Sequence, residues 1–192
     1  LVIWQVRRPE TVGKPEIIRS IVQYGRTNGA QVIGVDGGSD KEDFVVSLGA
    51  QEYIDFRASP NVVEDIGKIT NGGAYAVVVA AGNPRAFAQD GEMLRVGGTL
   101  SCVGIPPGRT FVETPVSSIV IKGLHITGNL VGSLKECLEA VELVRRGIVK
   151  PRISVRRFRD LPSVYEEMEK GEGAGRFVLK IGDEGGRFTD HE

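Results

Sequence analysis

The chain has 192 residues, 41% of them hydrophobic and 26% charged, enough for one well-buried domain of ordinary composition. Its 24 basic and 25 acidic residues leave a net charge of −1, so no field favours nucleic acid or an acidic membrane, and neither is expected as a partner. No apolar run approaches the roughly 20 residues of a membrane span, and two well-separated cysteines, Cys102 and Cys137, exclude a disulfide scaffold and a local cysteine metal cluster.

The chain opens at Leu1 without an initiator Met or a basic-then-apolar leader, as expected of a fragment or a processed chain. LVIWQV at 1–6 reads as a first strand. Pro15 then suits a first helical position, Ile17, Ile18, Ile21 and Val22 form an apolar stripe, and Gly29 stops the helix. QVIGV at 31–35 is the second strand. Ser39 and Glu42 have capping-box spacing ahead of Phe44, Val45 and Leu48, with Gly49 as the stop. EYIDF at 52–56 is the third strand, followed after Pro60 by Val63, Ile66 and Ile69 at helical spacing and by Gly72-Gly73. YAVVVA at 75–80 is apolar almost throughout, as a strand covered on both faces should be.

Asn83-Pro84 and Thr114-Pro115 open two short helices around a fifth strand, GTLSCVG at 98–104, and GLHITGNLV at 123–131 is the sixth. Ser133 and Glu136 form a second capping box, and the stripe Cys137, Leu138, Val141, Val144 puts Cys137 on a buried face. Both cysteines read as core thiols in a reducing compartment, which places the protein in the cytoplasm. Beyond about residue 150 the rhythm breaks. RISVRRF at 152–158, a helix from Pro162 with Val164, Tyr165 and Met168 facing inward, and RFVLKI at 176–181 make a β-α-β appendix, and the glycine-rich polar end is a frayed tail. The fold class expected is α/β, a doubly wound six-stranded parallel Rossmann sheet, with domain limits at 1–150, 151–182 and 183–192.

Asp36 is the sharpest chemical signal. It ends the second strand, where a dinucleotide fold places a carboxylate that accepts from the adenosine ribose hydroxyls and repels a 2′-phosphate, so NAD is expected over NADP. Gly37 and Gly38 would let the adenosine lie against bare backbone. Position alone leaves open that Asp36 merely caps a turn. The basic cluster Arg152, Arg156, Arg157 and Arg159 reads as a solvated face rather than an anion site, and no serine elbow, P-loop or nucleophile–base pair is present.

The stretches VQYGRTNGAQVIGVDGGSDKEDFVVSLGAQEYIDF, TNGGAYAVVVAAGNPRAF, LRVGGTLSCVGIPPG and RRGIVKPRISV…LPSVYEEMEKGEGAGRFVL resemble the second half of the fungal-type zinc-dependent alcohol dehydrogenases, in the medium-chain dehydrogenase superfamily, from about Ile18 to Ile181. The resemblance implies cofactor-binding roles for Asp36, Gly37, Lys41, Ala80, Ala81, Val103, Ile105 and Val131. Asp36 would hold the adenosine ribose with Lys41 beside it. Ala80 and Ala81 would border the cofactor's ribose and nicotinamide, Val103 and Ile105 would line the nicotinamide pocket, and Val131 would offer backbone contacts to the carboxamide. Taken without the resemblance, these apolar positions read as core packing. It further implies a homodimer or higher oligomer paired through the edge strand 123–131, and a catalytic domain that the appendix packs against.

Two positions depart from the family pattern. The turn after the first strand reads RRPETVGKPEIIRS, with Gly13 its one glycine, and Leu134 stands where the family carries an arginine for the pyrophosphate. His125 and His191 cannot assemble a catalytic zinc site, so zinc belongs to the intact family enzyme, and neither a catalytic residue nor a metal ligand is assigned. The reading is the NAD-binding half of an alcohol dehydrogenase, inactive alone; the alternative is a non-catalytic Rossmann module acting only in dimerisation.

Overall fold

The structure, a computed structural model, describes residues 2–4, 15–170 and 176–181. Residues 5–14, where the glycine-poor turn with Gly13 is expected, residues 171–175, and residues 182–192, where the tail with His191 is expected, lie outside the described residues.

Six parallel strands form the main sheet: β1 (Val2–Trp4), β2 (Ile33–Asp36), β3 (Glu52–Asp55), β4 (Ala74–Val79), β5 (Leu94–Cys102) and β6 (His125–Gly128). Their spatial order is β3-β2-β1-β4-β5-β6, which is the doubly wound order. Helices α1 (Pro15–Thr27), α2 (Glu42–Ser47), α3 (Val62–Thr70), α4 (Val116–Lys122) and α5 (Leu134–Arg145) connect or follow the strands. A separate two-stranded parallel sheet joins β7 (Ile153–Arg157) and β8 (Arg176–Lys180) across helix α6 (Leu161–Glu169).

Strand alternation divides the core. Ile33 and Val35 of β2 join Ile54, Val62, Ile66, Val77, Val79, Phe87, Leu94 and Leu100 in one cluster. The position between them, Gly34, faces the other way, where a side chain would collide with Val45 of α2. Val45 belongs to a second cluster with Val22, Val32 and Ala50. Gly34 therefore lets α2 press directly on the sheet, and apolar layers cover both faces of β2.

Local signals mostly act as their chemistry requires. The Asn61 side chain accepts from the Glu64 N–H at the start of α3, and the Ser133–Glu136 capping box forms at α5 with both of its hydrogen bonds. Three expectations are corrected. The Ser39–Glu42 box does not form, because a 3-10 turn over Ser39–Lys41 precedes α2 and no side chain caps either start. Cys137 is exposed rather than buried, along with Leu138 and Val141, because no described element covers that face of α5. Tyr165 and Met168 are likewise exposed, and only Val164 of that helical stripe is buried. Cys102 is half-buried and packs against the main cluster.

Candidate functional site

In a parallel sheet of this order the crevice opens at the carboxyl ends of the strands, where the strand order reverses between β1 and β4. Asp36, Ala80 and Ala81, Val103 and Ile105, and Val131 all lie at or just beyond the carboxyl ends of β2, β4, β5 and β6. The segment that follows β1 at this edge is outside the described residues.

Asp36 is 1% exposed. One of its carboxylate oxygens accepts from the Gly37 N–H at 2.7 Å and lies 3.1 Å from the Lys41 ammonium. Lys41 also donates to the Gly37 carbonyl at 2.5 Å. The 3-10 turn explains this reach, because it brings Lys41 back over the strand end five residues after Asp36. A buried carboxylate beside an ammonium, both at a strand terminus, presents an acceptor and a donor to a vicinal diol.

Gly38 adopts φ 107°, a conformation that side chains rarely take. A side chain on Gly37 would collide with the Phe56 ring and the Arg57 guanidinium, so the bare backbone there is already faced on one side by the chain itself. Register places Asp55 beside Asp36 and Tyr53 beside Gly34. The Asp55 carboxylate accepts from the N–H groups of Gly38 and Arg57, each at 2.9 Å, and these bonds hold it below the usual carboxylate range. The Tyr53 hydroxyl donates to the Gly38 carbonyl at 2.7 Å. Burial first, then the charges of Asp36 and Asp55, pushes this phenol above its ordinary range, so it stays a donor.

At the other side of the crevice, the N–H groups of Val103 and Gly104 both donate to the Val79 carbonyl, at 3.0 and 2.8 Å. Gly104 has no room for a side chain because the Ala81 main chain lies against it. The ends of β4 and β5 are thereby drawn together, with Ala80 and Ala81 buried and Val103 and Ile105 exposed beside them. Core packing accounts for the two alanines but not for the two exposed residues. The Asn129 N–H donates to the Cys102 carbonyl at 2.9 Å and its side-chain amide to Ser101, which directs the chain toward Val131, 87% exposed. Leu134 is exposed at the first position of α5.

Sequence reasoning missed Tyr53, Asp55 and Asp90. Tyr53 and Asp55 are two apart on one strand and so share a face, a signal present in EYIDF, but their partner Gly38 is set by strand register. Asp90 looks like part of a polar turn, QDGE, and is 1% exposed. Among the described residues no group of three or more His, Cys, Asp or Glu side chains is arranged to hold a metal ion, and no helix is long and apolar enough to cross a membrane.

A family profile described as zinc-binding dehydrogenase matches residues 20–146. Alcohol dehydrogenase 1 of Emericella nidulans is 36% identical over 161 residues, covering 83% of this chain and 46% of that protein. An alcohol dehydrogenase of Schizosaccharomyces pombe is 35% identical over 160 residues, covering 83% and 45%. The chain thus spans about half the length of the curated relatives it matches. Among solved structures, the alcohol dehydrogenase of the archaeon Aeropyrum pernix superposes with a TM-score of 0.71 at 26% identity, covering 93% of this chain and 49% of that one.

Proposed function

Because the chain belongs to the zinc-binding dehydrogenase family, we propose that its six-stranded domain binds NAD and forms the nucleotide platform of an alcohol dehydrogenase. The observation that carries this reading is the buried Asp36 carboxylate, paired with Lys41 at the carboxyl end of β2. It fits a ribose diol. Asp36 accepts from the 2′- and 3′-hydroxyls, Lys41 donates beside them, and Gly37 keeps the turn tight. Ala80 and Ala81 border the nicotinamide ribose, Val103 and Ile105 give the nicotinamide an apolar wall that excludes water, and Val131 offers main-chain groups to the carboxamide. Bound NAD supplies the hydride acceptor for a primary or secondary alcohol. No metal-binding group among the described residues fits zinc, so no step here runs through that ion. The free thiols Cys102 and Cys137 suit a cytoplasmic setting.

Isothermal titration tests the cofactor assignment. NAD should bind more tightly than NADP, since a 2′-phosphate would face the Asp36 carboxylate. Asp36→Ala should weaken NAD by about ten- to a hundredfold, the worth of hydrogen bonds to a charged group, and narrow the preference. Equal affinities in the unmutated protein, with Arg57 serving the phosphate, would overturn the assignment.

We also propose that the chain associates through β6, the outer strand of the sheet. All four of its residues are exposed, and Val120, Ile121, Ile126 and Leu130 form apolar surface around it. An open strand edge with apolar flanks is a template for a second copy. Light scattering should give twice the chain mass. A monomer mass that holds across a concentration series would rule this out.

A further inference from the structure

The turn that carries Asp36 and Lys41 has no cap of its own, since neither the 3-10 turn nor α2 begins with a side-chain hydrogen bond. Within the turn the Lys41 N–H reaches the Gly38 carbonyl at a long 3.4 Å, and shorter bonds come from the neighbouring strand. The two main-chain groups of Gly38 are each held by a β3 side chain: the N–H by Asp55 at 2.9 Å and the carbonyl by Tyr53 at 2.7 Å. Gly38 sits at φ 107°, a state that an unrestrained glycine exchanges freely for others. On its two sides lie Gly37, which touches both Asp36 and Lys41, and Ser39, which opens the 3-10 turn that ends at Lys41.

We infer that Tyr53 and Asp55 are positioning residues that clamp Gly38 and so hold the Asp36 carboxylate and Lys41 ammonium in the arrangement that selects a ribose 2′-hydroxyl over a 2′-phosphate. This rests on the NAD reading above. Neither residue needs to touch the nucleotide. Loss of the clamp lets the turn sample other conformations, which weakens contacts to the diol and relieves the repulsion of a phosphate, so the preference shrinks from both directions.

Two measurements on the intact protein test it. Amide exchange at Gly38, followed without nucleotide, should quicken about tenfold in Tyr53→Phe and in Asp55→Ala, whereas Asp55→Asn, which keeps an acceptor oxygen, should stay near the unmutated rate. Titration with NAD and with NADP should show the ratio of their dissociation constants falling about fivefold in Tyr53→Phe. A purely structural role would lower the melting temperature and weaken both nucleotides by the same factor, and that result overturns the inference. So does unchanged Gly38 exchange in Tyr53→Phe. If the unmutated protein binds neither nucleotide, the NAD reading fails, and Gly38 exchange alone then decides whether the clamp exists.

Discussion

The stability of this protein should fall as pH rises from about 4 to about 8, relative to an Asp90→Asn variant. Asp90 is 1% exposed, and neither carboxyl oxygen has a hydrogen-bond partner among the described residues. Burial pushes its carboxyl up to about 8, against about 3.9 in an unfolded chain. Between those values the folded protein keeps a proton that the unfolded chain has released. Stability is therefore full below about pH 4 and declines by up to about 1.4 kcal/mol per pH unit until the native group itself ionises. Above about pH 8 the curve flattens. Carboxylates held low in the native state, such as Asp55, act in the opposite sense as pH falls, but they are common to both proteins and cancel in the difference. Urea titrations at pH 5 and pH 7 should show the gap between the two proteins widening by about 2–3 kcal/mol in favour of Asp90→Asn. Parallel stability curves would show that Asp90 is ionised or solvated at neutral pH. The charge that forms at high pH also bears on Cys102, whose thiol is pushed up by burial and then by Asp90.

Asp90 also marks where sequence reading stops. Periodicity located all eight strands of the described residues because each is a short apolar or alternating run between turn residues, and the order of strands and helices then leaves the doubly wound sheet as the natural arrangement. Asp36 was legible for the same reason, since a polar residue that ends an apolar strand sits at the sheet edge. What periodicity cannot say is whether an apolar face is covered. Cys137, Tyr165 and Met168 fall on apolar stripes and remain exposed, because burial depends on a facing element and not on the stripe. The reverse holds for Asp90, which is buried although it lies in a turn that reads as polar, in a stretch of chain between the core residues Phe87 and Met93. The Ser39–Glu42 spacing matched a capping box, yet the chain spends that turn on bringing Lys41 to Asp36. A charge pair with a buried carboxylate outweighs a surface cap worth about 1 kcal/mol.

The β7–α6–β8 unit should open far more readily than the main sheet. Val164 is the single buried side chain among the described residues 151–181. Ile153, Val155, Phe158, Tyr165, Met168, Val178 and Ile181 are exposed, and each large apolar side chain left in water forgoes about 1.5–3 kcal/mol of burial. Among the described residues the unit's two strands pair only with each other, and a sheet of two strands is marginal in water without a packed face. Arg156 lies over the Phe177 ring at 5.7 Å and 3.9 Å from Glu167, but exposed pairs of this kind add at most about 1 kcal/mol. By contrast, Val77 and Val79 of β4 are completely buried between neighbouring strands. Opening free energies within one protein range from near zero to the whole stability of about 5–15 kcal/mol, and a difference of about 3 kcal/mol is about a hundredfold in exchange rate. Amides of 153–157 and 176–180 should therefore exchange about a hundredfold faster, or more, than those of 74–79. We propose that residues 151–182 pack on a catalytic domain in the whole protein, whose surface would cover these side chains. Equal protection in the two regions would mean that the unit is held by a core of its own, and its apolar face would then need no further domain to account for it.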